Sequence, residues 1–428
     1  MASPQRASFA RNPVQWRRHT LAVLLFGAAV ALWFSPSIYE PSAPASAPRQ
    51  ASPPSTSLVA LAPNSWSARL QTLTPAGTAR IQILRDGRLI DDVPFGGAGP
   101  LAYDDNLLWP ATTYHYEVRA VDRAGKPVRD EAVELTTPPQ LGSFPRLYAQ
   151  TSFWNRPIPA DAALDPNSAA IVSRALARYA TGSSLATSDD WGRPIAYASS
   201  LSTAYSVRCT MFDCATPVSF RIPRYARPNS GSDHHLVVVD PNANEELDMW
   251  LAAYNSKTEA WSSGARYVTD ATGWGALCAP SFRCNGGVAA GFAAFAGVVR
   301  PEEIAQGHID HALFITNPLT RKGYVACPAT HTDGISDDGA AIPEGARIQL
   351  DPAFNVNAQP WPRWEKVIAH ALQTYGGYVG DTGGTLGLVG EARLDRGYDA
   401  WSLAGVPPIP ALASFPWSQF RVLRLERC

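Results

Sequence analysis

The chain has 428 residues, a formal net charge of −1 and a charged fraction of only 17%. That balance, without a basic stripe in the body of the chain, excludes the electrostatic footprint of a nucleic-acid partner. The length exceeds one ordinary small domain, so two or more units are expected.

In chain order, residues 1–19 carry Arg6, Arg11, Arg17 and Arg18 and no acid. Residues 20–38 are uncharged and centred on the apolar run "LAVLLFGAAVALWF" (21–34). A basic flank before such a run predicts a signal anchor or signal peptide. The favoured reading is an uncleaved anchor. It makes a single-pass protein of the cytoplasmic membrane with its C-terminal bulk outside. Cleavage after Ala45-Ser46-Ala47 would instead release a secreted protein. Residues 39–63 are rich in Pro, Ser and Ala and predict a coreless linker.

Residues 64–138 read as a small β unit. "ARIQILRDGRLI" (79–90) alternates and turns at Asp86-Gly87, a hairpin signal. "TTYHYEVRAVD" (112–122) places Tyr114, Tyr116, Val118 and Ala120 on one face. Together "ILRDG" (83–87), "YDDNLLWPATTYHYEVRAVDRAG" (103–125) and "LTTPP" (135–139) resemble a fibronectin type III domain. The resemblance implies a seven-stranded sandwich serving as spacer or binding module, without catalysis.

Residues 141–428 read as one large unit. Asp165-Pro166 opens a helix with Ile171, Val172, Ala175, Leu176 and Tyr179 on one face. Trp364, Val367, Ile368, Ala371, Leu372 and Tyr375 make a second stripe, which Gly376-Gly377 end. Strand-like runs lie between them: "HLVVVD", "ELDMWLAAY", "HALFITN", "GYVACPA" and "ARIQLD". All six cysteines lie beyond residue 200, and their spacing suggests Cys209–Cys214, Cys278–Cys284 and Cys327–Cys428 bridges, as suits an exported protein. Zinc is the weaker alternative, because no C-x-x-C occurs. The expected class is mainly β or α+β: an N-terminal membrane anchor, a fibronectin type III-like β-sandwich, then a large disulfide-containing unit with a β-sandwich core and flanking helices.

The chemistry-bearing residues collect at strand ends. In "GSDHHLVVVD" (231–240) the pleat predicts that Asp233 and His235 share one face and His234 takes the other. The next run aligns Glu246, Asp248, Trp250 and Tyr254 on one face. Carboxylates beside aromatic rings suit a sugar, with rings stacking on its apolar faces and carboxylates serving as acid and base. His311, in "IDHALFI", is expected to share a cleft with His235 and Asp248. His331, in "CPATHTDG", and Asp381, in "GYVGDTGG", occupy similar strand ends. "HIDH" (308–311) supplies an H-x-x-H, but as strand it splits its two rings, so no metal and no cofactor is expected.

The large unit also resembles a group of secreted or envelope-anchored bacterial proteins of undefined function. The resemblance rests on "FWNRPIP" (153–159), "GSDHHLVVVD", "GHIDHALFI" (307–315), "PATH" (328–331), "PEGARIQLDP" (343–352) and "ALQTYGGYVGDTGG" (371–384). It implies a domain and no particular reaction. The sequence reading is therefore a membrane-anchored carbohydrate-active protein that hydrolyses glycosidic bonds. Asp233, His235, Asp248 and His311 would be catalytic; Trp250, Tyr254, His331 and Asp381 would bind substrate. A non-catalytic glycan-binding or adhesion protein and a polysaccharide lyase are the alternatives.

Overall fold

The computed structural model describes residues 57–140, 144–211, 217–276 and 287–427. Its first element is a β-sandwich of β1 (Val59–Asn64), β2 (Ser67–Thr74), β3 (Arg80–Arg85), β4 (Arg88–Pro94), β5 (Gly99–Asn106), β6 (Thr113–Val121) and β7 (Pro127–Thr136). One sheet has the order β1-β2-β5 and the other β4-β3-β6-β7. Every pairing in it is antiparallel. That strand order is a fibronectin type III-like sandwich. The period-two pattern explains it. Tyr114, Tyr116, Val118 and Ala120 of β6 are buried and pack with Leu70, Ile81, Ile83 and Tyr103 of the other strands. Asp86 and Gly87 both take positive φ, as a two-residue hairpin turn requires.

The sandwich packs directly on the rest of the chain, and residues 55–428 form one compact unit. Arg85, buried with Asp105, also donates to the Arg396 carbonyl at 2.9 Å. The Tyr398 hydroxyl donates to the Leu107 carbonyl at 2.6 Å.

The large unit contains three larger sheets. A six-stranded mixed sheet runs Phe420–Val422, Arg347–Leu350, Gly377–Thr382, Leu313–Asn317, Gly387–Val389, Ser184–Ala186. Both of its faces are buried: Leu313, Ile315 and Val379 pack into one cluster, Phe314 and Tyr378 into another. The helix Arg363–Thr374 lays Trp364, Val367, Ile368, Ala371 and Leu372 into the first cluster. A four-stranded sheet runs Ala265–Asp270, Glu245–Trp250, Leu236–Asp240, Ile195–Tyr197. A second four-stranded sheet contains Ala204–Cys209 and Ala260–Ser263 at its centre.

Several expectations need correction. The class is mainly β with helices, but parallel pairs such as Leu313–Asn317 with Gly377–Thr382 make the sheets mixed, unlike an antiparallel sandwich core. Among the described residues no helix is long and apolar enough to cross a membrane. The helix Arg363–Thr374 has 12 residues, against the ~20 a span needs, and only one face of it is apolar. The anchored, single-pass organisation therefore finds no support, and the 20–38 segment itself lies outside the described residues. No disulfide joins two described residues. Neither Cys209 nor Cys327 is a free thiol; the other four cysteines lie outside the described residues. Finally, Ser168–Ile171 is α-helical but Val172–Leu176 and Ala177–Gly182 are π and 3-10 turns, so the first helical stripe is buried on an irregular helix.

Candidate functional site

A cavity of 620 Å³ among the described residues has several converging polar groups. That is within the ~300–1,000 Å³ range of small-molecule sites. Arg193, Asn229, Asp233, His235, Asp381 and Thr382 line it, with Trp191 and Ile409 among its apolar contacts.

Local backbone chemistry sets these groups in place. The "DHH" stretch does not follow the expected pleat. The strand begins at Leu236, and His234 takes φ +42°. His234 turns out to solvent with Nδ1 on the Asn229 carbonyl, while Asp233 and His235 both line the cavity. Asn229 clamps the loop: its Oδ1 accepts the His235 backbone N–H at 2.9 Å, and its own N–H reaches the His235 carbonyl at 2.9 Å. Burial, and then the positive charge of Arg193, hold the His235 pKa well below the usual imidazole value, so the ring is neutral near pH 7.

Arg193 is the unusual member. It is 5% exposed, yet its Nε and Nη1 have no hydrogen-bond partner. Its backbone is held by a 2.9 Å bond to the Gly390 carbonyl and by Ala392 donating to its own carbonyl. Burial lowers its pKa, opposed most strongly by the charge of Asp381.

Asp381 lies near the end of the strand Gly377–Thr382. It belongs to a group with Asp333 and Glu344 in which one carboxylate oxygen from each lies within 4.8 Å of the others. Glu344 ends the strand Ile342–Glu344 and is fully buried. Its Oε2 accepts the Asp333 N–H at 3.0 Å. Gly345, at φ +87°, permits the tight exit, since a Cβ there would lie 1.7 Å from the Ala326 carbonyl oxygen. Burial is the main reason that the Glu344 pKa is pushed up to about 9 and that of Asp381 to about 7; like charges add to both.

Of the sequence candidates, the structure thus brings Asp233, His235 and Asp381 to one cavity. Asp248 is not in it. It is 1% exposed, and its Oδ2 accepts the Ala294 N–H at 2.9 Å. Burial, and then neighbouring Glu246, push its pKa well above the usual carboxylate range. His311 lies elsewhere, its Nε2 2.9 Å from Glu303 and its Nδ1 2.9 Å from the Ala312 carbonyl. Tyr254 joins an aromatic group with Tyr205 and Trp261, and neither it nor Trp250 lines the cavity. His331 bonds Thr330. Arg193, Asp333 and Glu344 were not singled out in the sequence. Asp333 and Glu344 fall inside or beside the quoted "CPATHTDG" and "PEGARIQLDP" patches, the one signal that could have found them.

Two solved structures are similar to a short part of the chain. The fibronectin(III)-like modules of Clostridium thermocellum CbhA match at 14% identity over 18% of this chain and 84% of that one, with a TM-score of 0.16. The sixth fibronectin type III domain from human fibronectin type III domain containing protein 3 matches at 19% identity over 21% of this chain and 89% of that one, with a TM-score of 0.17. The likeness is one of fold alone. No protein-family model matches the chain, and no curated protein does.

The glycosidic-cleavage, glycan-binding and lyase readings are accordingly corrected. They required carboxylates and histidines beside an aromatic platform. The period-two pattern put Asp248 and Trp250 on one face but could not show that Asp248 faces a packed core. The membrane-anchor reading finds no spanning helix among the described residues, and the segment that carried it lies outside them.

The His311–Glu303 pair has a pH signature. Burial alone would lower the His311 pKa, but the charge and hydrogen bond of Glu303 outweigh it and the pKa is raised. Its stabilisation is therefore full below the unfolded value of about 6.5 and is lost as pH rises through the folded value. The stability difference between the protein and His311→Gln, measured by urea unfolding, should shrink from pH 6 to pH 9. A difference constant over that window would show the pair to be uncharged.

Proposed function

We propose that the cavity around Arg193 binds a small molecule bearing an anionic group, a carboxylate or a phosphate. The observation that carries this reading is a guanidinium that is buried, lines the cavity and has two nitrogens without partners. An unpaired buried charge is costly, and native proteins keep one chiefly where a ligand completes it. The planar fork of arginine matches an oxyanion with two parallel hydrogen bonds. Neutral His235 beside it can take a hydrogen bond or a proton from the same ligand, and Arg193 would offset negative charge developing there.

Trp191, 58% exposed at the cavity, is a fluorescence reporter. Titration of the full chain in EDTA with phosphate, malonate and citrate should perturb its emission with saturation for at least one of them. Arg193→Met should weaken that binding by about 10–150-fold, the worth of a charge-assisted hydrogen bond, and Arg193→Lys by less. Equal binding by the protein and Arg193→Met, or no saturable binding of any of the three, would remove the proposal.

A further inference from the structure

Asp333, Glu344 and Asp381 come from three separate segments. Asp333 sits in the irregular stretch after Val325, Glu344 at the end of a short strand, and Asp381 near the end of a central one. The parallel pairing of Thr320–Val325 with Ile342–Glu344, the Gly345 N–H on the Val379 carbonyl and the Asp333 N–H on Glu344 bring them together. Among the described residues no lysine or arginine lies in an ion pair with Asp333, Glu344 or Asp381. Three carboxyl groups so placed resist ionising together: burial first, and then one another's charge, push the Glu344 pKa up to about 9 and that of Asp381 to about 7, while Asp333 accepts the Thr382 hydroxyl. Here Glu344 is 0% exposed and cannot move out.

Acidic clusters are common on protein surfaces, so their proximity by itself decides nothing. Two further observations point to a ligand. Oε1 of Glu344 is buried and accepts no hydrogen bond, although its other oxygen is bonded to the Asp333 N–H. A buried carboxylate oxygen without a donor is a rare and expensive group. The second is Arg193. Among the carboxylates around it, Asp381 acts on it most strongly, yet no hydrogen bond joins the two. Arg193 and Asp381 line the same cavity, and no hydrogen bond closes one on the other.

We propose that Asp333, Glu344 and Asp381 hold one divalent cation of the hard, oxygen-preferring class, at the wall of the Arg193 cavity. The donors are all carboxylate oxygens, which select calcium, magnesium or manganese over zinc or copper. The spacing is compatible with calcium. Its ligands stand at about 2.3–2.6 Å, so two oxygens on one ion are at most about 4.6–5.2 Å apart. The three donor atoms, all within 4.8 Å of one another, meet that condition. The charges also balance. Three carboxylates are offset by the cation and Arg193 together, and an anionic ligand can then bridge the ion and the guanidinium. This bridging rests on the anion-binding reading above; the cation site itself does not.

The experiment separates the two. The full chain is stripped with EDTA and titrated with calcium, magnesium or manganese chloride by calorimetry, with melting temperature as a second readout. One equivalent of at least one of these ions should bind and raise the melting temperature. Asp333→Asn should weaken binding at least tenfold; Asp333 is exposed, so this variant should fold, which circular dichroism verifies. Glu344→Gln should weaken it as well. Arg193→Met should keep cation binding while losing the anion. Absence of stoichiometric binding by all three ions, or undiminished binding by both Asp333→Asn and Glu344→Gln, would overturn the cation site. Phosphate binding in EDTA reports on Arg193 alone, so failure of one arm leaves the other legible.

Discussion

Arg193→Met is expected to make the protein more stable by about 1–3 kcal/mol while removing anion binding. In most buried positions loss of an arginine is destabilising, because a partner carboxylate is left alone. Arg193 differs. Its Nε and Nη1 have no hydrogen-bond partner, so the substitution breaks no such bond there and returns the desolvation penalty of a buried cation. Burial is the largest influence on its pKa and acts against the charged form; Asp381, Asp248, Asp233 and Glu246 only partly offset it. The carboxylates left behind can take up protons more readily, as the raised pKa values of Asp248 and Asp381 favour, and so do not inherit the full penalty. Methionine keeps the length and the packing of the side-chain stem. A gain in stability coupled to a loss of binding is the pattern of a group retained for function. Urea unfolding of both proteins at pH 7 in EDTA decides the matter. Destabilisation of Arg193→Met by more than 1 kcal/mol would mark Arg193 as an ordinary structural cation and weaken the binding proposal with it.

The opposite sign is expected for Glu391→Ala, which should cost about 3–5 kcal/mol. Glu391 is 1% exposed and bonds two buried guanidiniums at once, Arg300 through Oε2 and Arg396 through Oε1. Glu302 is the other acid of this network and bonds Arg396 at 2.5 Å. Removing Glu391 leaves two buried cations to share one buried carboxylate. Arg300 retains the Tyr197 hydroxyl at 3.1 Å and the faces of Phe144 and Phe295, which moderates the loss without replacing an anion. The network also reaches the sandwich, because the Arg396 carbonyl receives Arg85. Asp395→Ala is the control. Its pair with Arg88 is largely exposed, with side chains 77% and 44% accessible, and should be worth under ~1 kcal/mol. If Glu391→Ala unfolds within 1 kcal/mol of the unmodified protein, the network does not hold the two parts together.

Local pattern determined much of this architecture. The alternation in "TTYHYEVRAVD" and the Asp86-Gly87 turn are visible in a few adjacent residues, and β6 and its hairpin neighbours follow them. The stripe Trp364, Val367, Ile368, Ala371, Leu372 defines a helix by the same local logic, and those side chains are buried in the structure. Periods of 2.0 and 3.6 are properties of neighbours along the chain, so one sequence suffices to read them.

What only the tertiary structure decided is where each polar residue ends. Period two aligned Asp248 with Trp250 but could not tell a solvated face from one packed against residues 294–295. A continuous pleat through Asp233, His234 and His235 was the natural expectation, and one left-handed residue at His234 cancels it. Asp233 and His235 still reach the cavity because Asn229 clamps the loop from the other side. Asp381 was visible as a strand-end residue, but nothing local to Arg193, Asp333 or Glu344 shows that Arg193 and Asp381 line one cavity or that Asp333 and Glu344 gather around Asp381. The basic and apolar N-terminal cues to compartment lie in residues 1–56, outside the described residues, and remain a property of the sequence. The site depends on contacts between segments that are remote along the chain, and a pattern read within a few residues contains no information about that closure.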